Sequence, residues 1–458
     1  MTGSSADTCR YARQKRIRHD FVGRLRWRLA IRFAVLGIGC SLISEMASAQ
    51  NAIQPQFDQV VLPDYSRNRN VSVDEAQHPD YDPLGIDLGS FQVFPSLTET
   101  SQGNSNVLFN DFDKHADIAA FIQPTVFVQS DWSNGLLQVY ATDQIREDMN
   151  YKTLNKNSWS AHVNGRIDIS DAFNLNALVE VGHFTENPFS SVVDGNFAVL
   201  SQFNQASATL KGIWTQGKLR ITGEYDHFSV RYSPLWHTAG AILNQEYRDN
   251  RYDRQMTQGE YSLGPSLALY SQINFDTVKY RYTTGFGLSN RNLAGVAVVS
   301  GFSFDLSGVA RGAVGLGYSR RTYASGPFAN PSGLTMQAKI EIFSSISTTL
   351  TGSAYRLLRD ASAGQSVAYY DTRVEFDVAH ALRQNVILST RIYYGNQEFV
   401  EDSRRRMFYQ SNLGGKIKFN RRFNLNVDLE YSKSIKSNTD IGTIFSQFVG
   451  SIALQYII

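Results

Sequence analysis

The feature that most constrains this chain is a period of two. From Trp159 to Ser170 the alternation has no miss. Trp159, Ala161, Val163, Gly165, Ile167 and Ile169 are non-polar, while Ser160, His162, Asn164, Arg166, Asp168 and Ser170 are polar. Asn424 to Tyr431 repeats it, with Leu425, Val427, Leu429 and Tyr431 set against Asn424, Asn426, Asp428 and Glu430. In Asp371 to Val378, the residues Val374, Phe376 and Val378 alternate with Asp371, Arg373, Glu375 and Asp377. Successive side chains of a strand point to opposite faces, so each run builds a strand with one greasy and one wet face.

Read in order from about residue 89 to 458, such runs number 18, with boundaries uncertain by about two to four residues. Two of them are placed at 254–269 and 274–288. Their connections alternate. Asp171-Ala172, Gln216-Gly217, Ser307-Gly308 and Asn420-Arg421-Arg422 are short, whereas 103–116, 187–199, 233–253 and 324–333 are long. An even strand count with short turns at one end and long loops at the other is the pattern of an outer-membrane barrel, whose short turns face the periplasm. A β-propeller would show a blade repeat of about 40–50 residues, and no such repeat is present. The expected fold is therefore all-β, a transmembrane antiparallel up-and-down barrel of about 18 strands. It occupies 88–458, after a signal peptide at 1–49 and an irregular periplasmic extension at 50–87.

The N-terminal segment has a different character. The chain has 458 residues and a formal net charge of +2, yet nine basic and three acidic side chains fall within residues 1–49. The remainder is acidic, so nucleic-acid binding loses its main support. Phe33 to Ile43 is an apolar run too short to span a bilayer as a helix, and Ala47-Ser48-Ala49 follows it. Together they read as a cleaved signal peptide, with cleavage before Gln50. A lipoprotein signal at Cys40 is the alternative. Cys9 and Cys40, the two cysteines of the chain, both lie here. Beyond residue 50 no apolar run approaches the roughly 18 residues of a membrane helix. The mean hydropathy of −0.28 does not argue against a barrel, because lumen-facing polar residues cancel lipid-facing apolar ones. Pro55, Pro63, Pro79 and Pro83, with Asn68, Asn70, Asp80 and Asp82, break regular structure across 50–87. A mobile periplasmic leader is expected there, with a folded plug as the alternative.

A charge facing lipid at mid-depth costs about 2–4 kcal/mol for Arg or Lys. Charges that alternate with apolar neighbours should therefore line the lumen: Arg166, Asp168, Glu180, Arg220, Glu224, Lys279, Arg281, Arg373, Glu375, Asp377, Arg391, Lys416, Lys418, Asp428 and Glu430. Opposed signs could set a transverse field across the channel or merely neutralise one another. The 233–253 connection holds Trp236, Glu246, Tyr247, Arg248, Asp249, Arg251 and Asp253. It is a candidate constriction loop, the alternative being an exposed, tolerant loop. Trp132, Trp159 and Trp214 suit interfacial girdles. Arg404-Arg405-Arg406 could meet lipopolysaccharide phosphates or simply be a solvated charge run. At the C-terminus, Phe448, Gly450, Ile452, Leu454, Tyr456 and Ile458 form one face. Ser451 to Ile458 resembles the β-signal read by the outer-membrane assembly machinery, with Ala453, Tyr456 and Ile458 at the signal positions.

Enzyme chemistry finds little support. No His is spaced with Glu for a zinc protease, and there is no G-x-S-x-G elbow and no P-loop. His162 and His183 would be the residues to test for a membrane-embedded hydrolase or acyltransferase, although ordinary strand histidines are the simpler reading. No cofactor and no metal are expected.

Several segments resemble a family of bacterial outer-membrane β-barrel proteins of the porin type, often encoded beside exopolysaccharide or capsule genes. They are Asp82-Pro83-Leu84-Gly85-Ile86-Asp87-Leu88-Gly89-Ser90-Phe91, Phe94-Pro95-Ser96-Leu97, Asn104-Ser105-Asn106-Val107, Leu263-Gly264-Pro265-Ser266-Leu267, Phe302 to Gly308, and Gly315 to Tyr323. The order of these segments carries more weight than any one of them. The resemblance implies an outer-membrane barrel linked to export of a surface polysaccharide, with no catalytic residues to carry over. Expected partners are outer-membrane lipids and lipopolysaccharide, the assembly machinery, polysaccharide export proteins and a polysaccharide. A general or substrate-selective diffusion porin is the alternative. The envelope-purified protein should be β-rich and heat-modifiable on gels, and its release into the soluble periplasmic fraction without detergent would refute the membrane assignment.

Overall fold

In the computed structural model, residues 62–63, 65–67, 69–186, 201–236, 242–282, 289–324, 328–360, 368–400, 404–437 and 444–458 are described. The signal-peptide reading of 1–49 lies outside them. The chain divides into two compact units, residues 1–49 with Asp74–Gln77, and Gln50–Val73 with His78–Ile458. In the first, the described residues are Asp74–Gln77, where Asp74 and Glu75 form a turn. The second is the barrel unit.

Its wall has 18 long strands. They are β1 (Phe91–Asn104), β2 (Asp117–Ser130), β3 (Gly135–Asp148), β4 (Lys156–Ser170), β5 (Phe173–Thr185), β6 (Gln202–Gln216), β7 (Leu219–Tyr232), β8 (Asn250–Gly264) and β9 (Leu267–Tyr280). The second half comprises β10 (Leu293–Leu306), β11 (Ala310–Tyr323), β12 (Ser332–Ser345), β13 (Thr348–Asp360), β14 (Ala368–Arg383), β15 (Val386–Phe399), β16 (Arg405–Lys418), β17 (Phe423–Ser437) and β18 (Phe445–Ile457). Each pairs antiparallel with its sequence neighbours. The sheet closes where β1 meets β18, in a register running from Ser96 opposite Ile457 to Asn104 opposite Val449. Closure leaves no strand edge unpaired, as an apolar solvent requires.

The turns explain the alternation of connections. Gly217 and Gly308 take positive φ (60° and 71°) in tight reversals, a conformation that a Cβ disfavours. One pair of strands differs from the sequence reading. The β8–β9 reversal falls at Pro265-Ser266, so Tyr270 to Ile273, taken as a connection, lies within β9. Proline has no N–H to give a ladder and sets the turn there.

Period-two burial confirms the two faces. On β11 the outward Leu316 is 68% exposed, while the inward Ala313 and Arg321 are buried. Gly315 also points inward; a Cβ there would collide with the Tyr270 hydroxyl and Val299. Its glycine makes room for neighbouring side chains. Trp159 lies outward on the long-loop half of β4, whereas Trp132 and Trp214 lie near the short-turn end, so aromatic side chains flank the apolar band at both levels. A Leu316→Arg substitution should destabilise the bilayer-inserted barrel by about 2–4 kcal/mol, measured by denaturant unfolding in liposomes. A cost near zero would mean that this face does not meet lipid.

Candidate functional site

The lumen is the candidate site, and strand parity decides which side chains enter it. Of the expected lumen charges, Arg166, Asp168, Glu180, Arg220, Glu224, Arg373, Glu375, Asp377, Arg391, Lys416, Lys418, Asp428 and Glu430 share the inward face of their strands. Lys279 and Arg281 do not. Inward positions of β9 are even-numbered (Tyr270, Gln272, Asn274, Asp276, Val278, Tyr280), so Lys279 is exposed on the outer face. Arg281 lies past the strand end, paired with Asp249 at 3.4 Å. The reason is an inversion of face polarity near the long-loop end. There the inward residues Phe203, Phe228, Tyr232, Tyr252, Val278, Tyr280 and Tyr323 pack into one apolar cluster, while the outer face carries charge.

Sequence reasoning missed a set of inward charges that hold the wall together. Arg254 bridges Glu224 and Asp226, both at 2.7 Å, and Lys211 joins Glu224 at 3.2 Å. Arg321 pairs with Asp276 at 3.4 Å, Arg359 with Asp371 at 2.8 Å, and Arg311 with Glu341. On β8 the outward Arg251, Asp253, Gln255 and Thr257 are polar too, so no apolar alternation singled out Arg254. Continuing the parity from the apolar half of each strand would have found it. Among the expected residues, Arg391 pairs with Asp377 at 2.6 Å and Glu375 at 3.5 Å, and Arg166 with Asp168 at 2.8 Å. Arg391 and Arg166 nevertheless leave 48% of their side chains accessible although they point inward. The interior beside them is open to water.

One sector of the inner wall is free of charge. β18 and β1 carry no inward ionisable group, and on β2 and β3 such groups (Asp117, Arg146, Asp148) stand only at the long-loop ends. Between them run amides and hydroxyls. Gln123 donates to Thr142 at 3.2 Å, Gln144 to Gln123 at 3.3 Å, Gln129 to Gln92 at 3.2 Å, and Asn424 to Gln455 at 3.1 Å. His162 points inward and stacks on Tyr140 at 4.8 Å, whereas His183 points outward to Asn204. The two histidines stand on opposite faces and cannot work as a pair.

The extension provides the main structural correction. A mobile leader is expected across 50–87, yet residues 62–63, 65–67, 69–73 and 78–82 lie on the inner wall at the short-turn end. Asn70 is the anchor. Its Nδ2 donates to Asp305 and, at 3.1 Å, to the Leu306 carbonyl, while its Oδ1 accepts from the Gly308 N–H at 2.7 Å. Arg311 donates to the Asn70 carbonyl at 3.1 Å, and the Val73 N–H donates to Thr349 Oγ1 at 3.0 Å. Lys418 ties the far end to Asp82 at 2.8 Å. Leu62 and Tyr65 reach up to Tyr270, Val299 and Ala313. Amides and backbone groups, rather than an apolar core, hold this strap, so its paucity of large apolar residues gave no sign of it.

The described residues of the expected constriction loop are pinned at the other mouth. Arg251 and Asp253 belong to β8 and face outward. Leu235–Trp236 pairs with Ile242–Leu243, and Glu246–Arg248 is a short 3-10 turn. Arg248, 1% exposed, bonds Glu186 and, at 2.7 Å, Gln245, and its guanidinium lies 3.8 Å over the Tyr232 ring. Burial works against its charge, but Glu186 outweighs that and holds the guanidinium above its ordinary pKa. Burial pushes the Asp249 carboxyl upward, although it accepts the Tyr232 N–H at 2.8 Å. Glu246 accepts from the Tyr282 hydroxyl, and the Tyr247 carbonyl from Arg291. These contacts join loops to one another. The arginine triplet is split: Arg404 lies over Phe399, Arg405 faces outward to Glu398, and Arg406 is buried against Ser434. At the C-terminus Ala453 points inward, Tyr456 packs outward on Phe423, and the Ile458 N–H donates to the Pro95 carbonyl at 3.1 Å.

A family model described as "Putative beta-barrel porin 2" matches residues 78–450. No curated protein sequence matches the chain. Among solved structures, the FrpB iron transporter of Neisseria meningitidis is similar with a TM-score of 0.45 and 10% identity, covering 78% of this chain and 64% of that one. This chain thus spans less than two thirds of FrpB. OpdO of Pseudomonas aeruginosa aligns with a TM-score of 0.41 at 12% identity (81% and 97% coverage), and OccK2 of the same organism, in complex with glucuronate, at 0.43 and 12% (80% and 98%).

The strap yields a direct test. Asn70→Ala removes three hydrogen bonds and leaves buried acceptors unmet, which should cost about 1–3 kcal/mol of local stability. The Val73 amide should then exchange tens-fold faster with the barrel intact, and unchanged exchange would show that Asn70 is not the anchor.

Proposed function

Since the chain belongs to the family described as "Putative beta-barrel porin 2", we propose that it is a non-enzymatic outer-membrane diffusion channel for small hydrophilic solutes. One observation carries this reading. Arg166 and Arg391 point into a closed 18-strand barrel and still present nearly half of their side chains to water. Barrels of about this strand number are wide enough to hold an aqueous lumen. The wall's paired charges keep that lumen polar without a large net field, and the strap narrows its periplasmic mouth. Of polysaccharide export and a diffusion porin, the fold and family support the porin more directly.

Export of a surface polysaccharide, with polysaccharide export proteins as partners, remains the narrower reading. It is favoured by the uncharged sector of β18 and β1–β3, whose amides and hydroxyls can exchange hydrogen bonds with a neutral sugar chain. Glycosyltransferase genes and a polysaccharide-export lipoprotein beside this gene would support it. Delivery through a cleaved signal peptide belongs to the same proposal.

In planar bilayers the purified protein should give steady, ohmic single-channel currents. Arg391→Gln removes a water-facing cation and should shift ion preference toward cations without loss of assembly. A barrel that assembles but passes no current, both intact and lacking residues 62–82, would refute the channel.

A further inference from the structure

Lys279, expected in the lumen, and Arg251, expected in the loop, point with a third residue to a different site. Arg231, Arg251 and Lys279 are exposed on the outer face of three consecutive strands, β7, β8 and β9, near their long-loop ends. The register places Arg251 directly opposite Lys279, and Ser229 opposite Arg251. Arg231, two residues beyond Ser229, is therefore the diagonal neighbour of Arg251. Directly opposed side chains on one face have Cβ atoms about 5 Å apart, and like charges so placed repel. The described residues relieve this repulsion only in part, through the attraction of Asp253 for Lys279. The one carboxylate on this face of the three strands, Asp253, is taken by the Tyr225 hydroxyl at 2.9 Å and the His227 ring at 2.7 Å. Above it Glu246 accepts from Tyr282, and Asp249 from the Tyr232 N–H and Arg281.

What lies below the cluster selects the counter-ion. Below a polar belt of Ser229, His227, Asp253, Gln255 and Thr277, the same face turns apolar, with Tyr225 and Phe275 near mid-strand and Ile221 and Tyr261 toward the short-turn end, each more than 40% exposed. Three cations above an apolar band match an amphiphile with its anion at headgroup height. Elsewhere on the circumference, the outward charges of β1 and β3 are instead acidic: Glu99, Asp143 and Glu147. We propose that Arg231, Arg251 and Lys279 bind the phosphate of an anionic outer-leaflet lipid whose chains lie along the apolar band beneath them. A phosphate offers several acceptor oxygens and up to two charges, enough to serve two guanidiniums and an ammonium together. The proposal rests on the barrel lying in an outer membrane, not on its conducting.

The test uses the purified full barrel in a neutral detergent. Diphosphoryl lipid A, the same lipid with its phosphates removed, and inorganic phosphate are added separately, with binding followed by native mass spectrometry and thermal unfolding. Lipid A should bind and raise the unfolding temperature; the dephosphorylated lipid and inorganic phosphate should not. The R231Q/R251Q/K279Q variant should bind lipid A at least about tenfold more weakly, roughly the loss of one charge-assisted contact. Lys279→Glu sets a carboxylate opposite Arg251. Its lipid-free barrel should be at least as stable as the parent while its lipid A affinity falls, which decides the matter even if the triple variant does not assemble. Parent-like lipid A binding by the variants, an equal effect of inorganic phosphate, or no binding to the parent would overturn the site. A silent bilayer recording would sink the channel reading and leave this site standing.

Discussion

A barrel in lipid depends first on the pairing of every backbone N–H and C=O within the wall, because hydrocarbon offers no partner. The antiparallel closure of β1 on β18 meets that demand. Every other property of the molecule is arranged around it. Once the wall is closed, side chains have only two destinations, and a one-residue slip would exchange them all. The alternation in the sequence is the record of that choice.

Inside the wall, charge is paired by strand neighbours and by residues two strands apart. Arg254 meets Glu224 and Asp226 on the adjacent strand, while Arg321 reaches Asp276 across β10. Pairs of this kind are weak evidence for stability, since desolvation offsets much of the attraction. Their clearer consequence is functional. They neutralise one side of the lumen and leave Arg166 and Arg391 in contact with water. The uncharged sector around the seam gives the lumen two chemically distinct walls, one of paired charges and the other of amides and hydroxyls.

The described residues at the two mouths are held by different physics. At the short-turn end a strap with little apolar content is held by the Asn70, Asp305 and Arg311 hydrogen bonds, with Gly308 contributing both its positive φ and its N–H. At the long-loop end the inner face is an aromatic cluster, and Arg248 clamps the neighbouring loops. The outer surface at this level carries exposed Arg and Lys side chains, which a lipid-facing mid-wall would disfavour.

Much of the architecture was legible in the sequence. Period two, the count of 18 and the alternation of short and long connections follow from strand geometry and local turn chemistry, which neighbouring residues express by themselves. Thirteen of the expected lumen charges face inward because lipid forbids them the other face over the apolar band. Lys279 and Arg281 escaped that logic because the prohibition ends where the lipid does, and height along a tilted wall is a tertiary quantity. The strap, the Arg248 clamp and the Arg254 and Arg311 pairs were equally hidden. Each joins residues distant in the chain through polar contacts, whose partners a sequence pattern cannot name. Local periodicity determined the barrel; only the closed structure decided which charges meet water inside, which meet each other, and which stand exposed on the outer face.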